Sequence, residues 1–195
     1  MEIVLARHGE TEWSRDLRHT GRTDIPLTEN GRRQAAILRD ALAGRRFERV
    51  LSSPLARALE TCRLAGLGEQ AELSDDLFEW DYGDYEGITT AQIREERASW
   101  NLWRDGCPGG ESAADVGRRA DRVIAALEDT EGDAAVFAHG HVLRVLAARW
   151  LGLGPEAGAL LKLDTGTLSA LGYERETRVV SRWNAPVPGA AQPPR

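Results

Sequence analysis

Ile3-Val4-Leu5-Ala6-Arg7-His8-Gly9 is an unbroken apolar run that stops abruptly at a cation, an imidazole and a glycine. Four consecutive apolar residues without alternation fit a short strand buried on both faces of a parallel sheet. Such a strand delivers the residues after it to the carboxyl edge of the sheet, where open α/β sheets bind ligands. Arg7 and His8 are therefore expected at a functional edge. A second run, Ala134 to Ala138, ends in His139-Gly140-His141 and leads into a helix through Trp150.

Working outward, Thr28 caps a helix reaching about Gly44, with Ala35, Ile37, Leu38, Ala41 and Leu42 as its apolar stripe. A strand over about Phe47 to Leu51 meets Ser53-Pro54, read as cap and first turn of a helix that turns Leu55, Leu59, Cys62 and Leu67 inward. That helix carries Arg57 one turn inside its start, where free amides and the helix dipole favour an anion. Thr89 and Gln92 form a capping box, and Ser112 caps a long helix to about Asp129. Late strands are expected over about Thr167 to Tyr173 and Arg178 to Trp183. Strand and helix alternate through most of the length, which selects a three-layer α/β/α sandwich with a mostly parallel central sheet.

The 195 residues, 42% of them hydrophobic, suffice for one sizeable core, expected as a single domain over 1–183 with a Pro- and Ala-rich tail over 184–195. Two cysteines cannot make a disulfide framework and suit a reducing compartment. No basic leader with a long apolar stretch precedes Arg7 and no stretch is long enough to span a membrane, so the expected location is the cytoplasm. A net charge of −6 speaks against broad nucleic-acid binding. Of the 25 cationic residues 24 are arginine, the side chain whose planar fork best matches phosphate.

Two histidines and two arginines converging at one sheet edge make a cationic hollow in an acidic chain. An imidazole there can attack phosphorus and split phosphoester hydrolysis into two displacements. Arginines and a second imidazole, cationic at work, would carry the charge of the transferring phosphoryl group, so neither metal nor cofactor is required. Glu79, flanked by Trp80 and Tyr82, is the best placed of several nearby acids to protonate the leaving group, and the aromatic walls are expected to raise its pKa. Trp80 is the tryptophan expected to line the pocket. A zinc site from His8, His139 and His141 is disfavoured by the fixed charge of Arg7.

Leu5-Ala6-Arg7-His8-Gly9-Glu10-Thr11 resembles the signature of the histidine phosphatase superfamily, in its phosphoglycerate mutase-like branch. The likeness continues through Trp13, Thr20-Gly21 and Leu27-Thr28, then Ser52-Ser53-Pro54-Leu55 with Arg57-Ala58, Glu79 with Tyr82-Gly83 and Glu86-Gly87, and Ala138-His139-Gly140. It implies the phosphoglycerate mutase-like fold, His8 as phosphorylated nucleophile, Arg7, Arg57 and His139 as phosphate ligands, and Glu79 as proton donor and then base. Ser14, Thr20, Gly21, Tyr82 and His141 fall where substrate would be met, although Ser14 replaces the mutases' asparagine and His141 a small or amide residue. Trp80-Asp81 stands where mutases carry a basic pair, Thr90 where they carry lysine, and their long basic insertion is missing. A phosphatase of the acid phosphatase type acting on a small phosphorylated metabolite is thus expected over a phosphoglycerate mutase or a non-catalytic phosphate-binding module. An acidic rim of Asp81, Asp84 and Glu86 would disfavour large polyanions, the optimum should lie on the acid side of neutrality, and a homodimer is left open.

Overall fold

The computed structural model describes residues 1–187. In chain order the elements are β1 (Ile3–Arg7), α1 (Glu12–Arg15), α2 (Glu29–Leu42), β2 (Arg49–Ser52), α3 (Ala56–Leu64), β3 (Ala71–Leu73), α4 (Thr90–Glu96), α5 (Leu102–Asp105), α6 (Ala113–Glu128), β4 (Ala134–Ala138), α7 (Gly140–Trp150), β5 (Leu168–Glu174) and β6 (Thr177–Ala185). They build one sheet in the order β3-β2-β4-β1-β5-β6. The first four of these strands run parallel, while β5 is antiparallel to β1 and β6 to β5.

The apolar strands are buried on both faces because successive side chains alternate between two cores. Ile3, Leu5, Val136 and Ala138 pack with α6 and α7, whereas Val4, Ala6, Ala135 and Phe137 pack with Leu38 and Leu42 of α2 and Cys62 of α3. Three layers with the sheet in the middle follow directly. Thr28 caps α2 by accepting from the Gly31 amide at 3.0 Å. The boxes at Thr89/Gln92 and Ser112/Asp115 open α4 and α6 as their sequences predict. Close backbone contact explains one glycine pair: a Cβ on Gly31 would lie 2.1 Å from the Glu10 carbonyl oxygen, and one on Gly9 would lie 2.2 Å from that of Gly31.

Some expectations are corrected. Ser53 does not cap α3, which starts three residues later; its Ala56 amide instead donates to Asp24 at 3.0 and 3.1 Å, a cap supplied from a distant loop. The short strand β3 has no apolar pattern, being mostly exposed at the sheet edge, and had no signal in the sequence. Strand β6 passes the expected boundary: the Asn184 amide donates to Ser169 Oγ at 2.9 Å and its side chain to Asp164 at 2.9 Å. The rest of the anticipated tail, 188–195, lies outside the described residues. Among these, no helix is long and apolar enough to cross a membrane. Both cysteines are free and buried, and burial pushes each thiol up to about 12.

Candidate active site

Strands β1, β2 and β4 are neighbours and end at one edge of the sheet, so Arg7-His8, Ser53 and His139 arrive together. The His8 amide donates to Ala138 O at 3.0 Å and the Ser53 amide to Phe137 O at 2.9 Å, extending the ladder into the site. The rings of His8 and His139 lie 5.1 Å apart. Gly140 gives Arg7 its place: a Cβ there would sit 3.2 Å from the guanidinium carbon.

The hydrogen bonds fix the state of the His8 ring. His8 Nδ1 lies 2.7 Å from the Gly9 carbonyl, which can only accept, so Nδ1 carries the proton and Nε2 keeps a free lone pair. Burial, then the charges of Arg57 and Arg7, hold the His8 pKa well below 6.5. The ring is held neutral with its Nε2 lone pair free. Arg7 donates through Nη1 to Leu163 O at 2.5 Å, while its Nε is buried without a partner, the single buried side-chain polar atom in that state among the described residues. A buried donor left unpaired costs about 1–3 kcal/mol, a debt that an arriving anion cancels.

Arg57 is fully buried on the inner face of α3 and holds the back of the site. Its Nη groups donate to the carbonyls of Thr20, Gly21 and Thr23, fastening that loop, and its Nε donates to His139 Nδ1 at 3.1 Å. Because a guanidinium only donates, His139 Nδ1 must be unprotonated, and its Nε2 proton goes to Ser53 Oγ at 2.8 Å. The expected cationic His139 is thus corrected. Burial and the nearby Arg57 charge keep it neutral, with its pKa well below 6.5.

Glu79 is likewise in a different state from the one expected. Its Oε1 accepts from the amides of Trp80 and Val142, and its Oε2 from that of His141, all at 2.9 Å. The carboxylate caps α7 from a distant loop, against the positive end of the helix. Burial alone would raise its pKa, but the His141 side chain and amide beside it outweigh that and hold the carboxyl well below 4.5. The neighbouring aromatic residues do not raise its pKa as anticipated; the contacts with His141 decide its charge. Trp80 itself is fully buried and turns away, donating to Glu111 O at 2.9 Å, so it lines no pocket.

In front of Arg7, His8 and Glu79 opens a cleft of about 500 Å³, whose walls include Ser14, Thr20, Tyr82 and His141. Gly21 lies behind the wall, its amide held by Glu86 at 2.9 Å. The expected acidic rim is absent from the cleft: Glu86 points inward to the amides of Gly21 and Thr23, and Asp81 faces Arg22 at 3.7 Å. Asp16, Leu17, Arg18, His19 and Thr90 are among the remaining wall residues. Among the described residues no group of three His, Cys, Asp or Glu side chains converges as metal ligands.

The profile of branch 1 of the histidine phosphatase superfamily matches residues 3–186. The chain belongs to that superfamily. This histidine phosphatase is 41% identical to an acid phosphatase of Mycobacterium tuberculosis, over 97% of this chain and 96% of the relative. It is 39% identical to sedoheptulose 1,7-bisphosphatase of Saccharomyces cerevisiae, over 77% of this chain and 68% of that one. The solved alpha-ribazole phosphatase of Shigella flexneri superposes with a TM-score of 0.84 at 30% identity, covering 98% of this chain and 100% of the other. The fold and the phosphatase class anticipated from the motifs stand.

Several supports of the histidine phosphatase site had no reading of their own in the sequence. Arg119 forks onto Glu111 at 2.8 Å through two nitrogens and donates to the carbonyls of Asp76 and Phe78, fixing the loop that presents Glu79. Asp24 acts in the same way on α3, as do Ser53, expected as a helix cap, on His139 and Glu86, expected at an acidic rim, on the Gly21 loop. Each reaches a partner far away in the chain, and no local pattern marks such a pairing.

Proposed function

We propose that this histidine phosphatase hydrolyses phosphomonoesters of small metabolites through a phosphohistidine on His8. One observation carries the reading: a neutral imidazole with Nε2 free stands beside the buried, unpartnered Nε of Arg7 at the floor of an open cleft. The phosphoryl oxygens pair with Arg7, while Arg57 and His139 close the site behind and the Arg57 guanidinium lends it positive charge.

In the first displacement His8 Nε2 bonds to phosphorus as the ester P–O bond breaks, and the leaving alkoxide takes a proton from Glu79. In the second, water attacks phosphorus, its proton passes to Glu79, and the P–N bond breaks to release phosphate and neutral His8. Glu79 is an anion in the empty cleft, so its acid form must be created by the substrate: a phosphate dianion seated beside it disfavours a second negative charge and raises the carboxyl pKa. A cleft of this size suits a sugar phosphate or similar small acid, in keeping with the names of the acid phosphatase and sedoheptulose bisphosphatase relatives. No metal or cofactor enters either step, and the substrate belongs to the cytoplasm.

Rapid quenching in base with a radiolabelled phosphomonoester tests the proposal. Label should appear on the wild-type protein as an acid-labile adduct and be missing from His8→Ala, which should also lose nearly all turnover. Turnover above a few per cent in His8→Ala would end the reading. A phosphoglycerate mutase would instead move label between carbons when a bisphosphorylated glycerate is added.

A further inference from the structure

Resting on the hydrolytic reading above, we propose that His141 is a positioning residue that, with Tyr82, governs whether Glu79 can hold the proton it must donate. Glu79 Oε1 is occupied by two amide donors, so only Oε2, with one, keeps room for a proton. Oε2 is also the oxygen that faces His141 Nδ1, at 3.8 Å, and that same Nδ1 lies 2.7 Å from the Tyr82 hydroxyl.

Two arrangements of this triad are chemically distinct. With His141 neutral, the Tyr82 hydroxyl donates to Nδ1 and Oε2 is left open to protonation. With His141 cationic, Nδ1–H points toward Tyr82 O and Oε2 and pins the carboxylate as an anion. One proton therefore resides on the imidazole when the cleft is empty on the acid side of neutrality. It moves to Oε2 when a dianion is seated, and the imidazole then accepts from Tyr82.

The charged and titratable groups around the ring are Glu79, Tyr82, His19, Arg7 and Arg144. Burial lowers the His141 pKa more than Glu79 raises it, which agrees with a proton taken up only below 6.5. Tyr82, its pKa raised well above 10 chiefly by burial, stays a phenol and keeps its proton for Nδ1. The chain places a histidine where the family resemblance expects a small or amide residue, so the device belongs to this sequence.

The test compares pH profiles of kcat/KM for an alkyl phosphate and for nitrophenyl phosphate in the wild type, His141→Gln and Tyr82→Phe. Without the imidazole, Glu79 loses its proton partner. The alkaline limb for the alkyl ester should move acidward by about one pH unit in His141→Gln, with a loss about tenfold greater than for the nitrophenyl ester, whose leaving group needs little protonation. Tyr82→Phe removes the donor that stabilises the neutral imidazole, so the pair holds its proton to higher pH: the same limb should move alkaline-ward while the plateau for the alkyl ester falls. Unmoved limbs, or equal losses on both esters, overturn the proposal. Phosphoenzyme trapping on the same samples separates the two ideas: trapped label with unmoved limbs condemns the triad alone, and no label in the wild type condemns the hydrolytic reading beneath it.

Discussion

Replacing Glu79 with glutamine separates the two duties of that carboxylate. Glutamine keeps one oxygen able to accept from the amides of Trp80 and Val142, but sets an NH2 group against the His141 amide that Oε2 now accepts at 2.9 Å. Two buried donors then face each other, which costs about 1–3 kcal/mol. Losing the negative charge at the start of α7 adds about 0.5–1 kcal/mol. At roughly 2–4 °C per kcal/mol for a chain of this size, a total of about 1.5–4 kcal/mol lowers Tm by roughly 3–16 °C.

The pH dependence of that gap follows from the sign of the shift. The folded carboxyl pKa lies below its ordinary 4.5, so the stabilisation is complete above 4.5 and fades as pH falls through the folded value. Melting curves of the two proteins should therefore stand furthest apart at neutral pH and converge in strong acid. Turnover of an alkyl phosphate at pH 6 should fall by roughly a hundredfold to ten-thousandfold, and that of nitrophenyl phosphate by much less. A variant melting within about a degree of the wild type at pH 7 would refute the capping argument, and equal losses on both esters would remove Glu79 from the acid role.

Four further outcomes are expected. Since the His8 pKa is depressed, the acid limb of kcat/KM should lie well below pH 6.5, and a limb at or above that value would contradict the neutral nucleophile. The same depression at His8 and His139 gives stability that is full above 6.5 and lost as pH falls below it, which a series of thermal melts would show as a declining Tm. Arg119→Ala removes the fork onto Glu111 and the hold on the Glu79 loop, so unfolding in urea should show a loss of about 3 kcal/mol or more, with a fall in kcat beside it. Gly31→Ala drives a Cβ into the Glu10 backbone and should yield protein that fails to fold, as seen in its circular dichroism.

Much of the site was legible because apolar runs show where buried strands stop. Arg7, His8 and His139 follow such runs directly, and parallel pairing of β1 with β4 brings them to one edge. Glu79 and Arg57 needed the motif resemblance in addition, since a loop carboxylate and a helical arginine have many local counterparts. The acidic rim failed as an expectation because proximity in sequence says nothing about facing: Asp81 and Glu86 flank the Glu79 loop yet turn to Arg22 and to the Gly21 amide.

The sequence by itself determined the main alternation of strands and helices, the two-faced burial of β1 and β4, and the placing of Arg7, His8 and His139 at strand ends. Those properties depend on side-chain hydrophobicity and on periods of two and 3.6 residues, which are written locally. Only the tertiary structure decided the charge states: His139 neutral because Arg57, 82 positions away in the chain, donates to it, and Glu79 ionised because the start of α7 docks on it. Protonation follows distance, burial and donor geometry, and these come into being only when remote segments pack together.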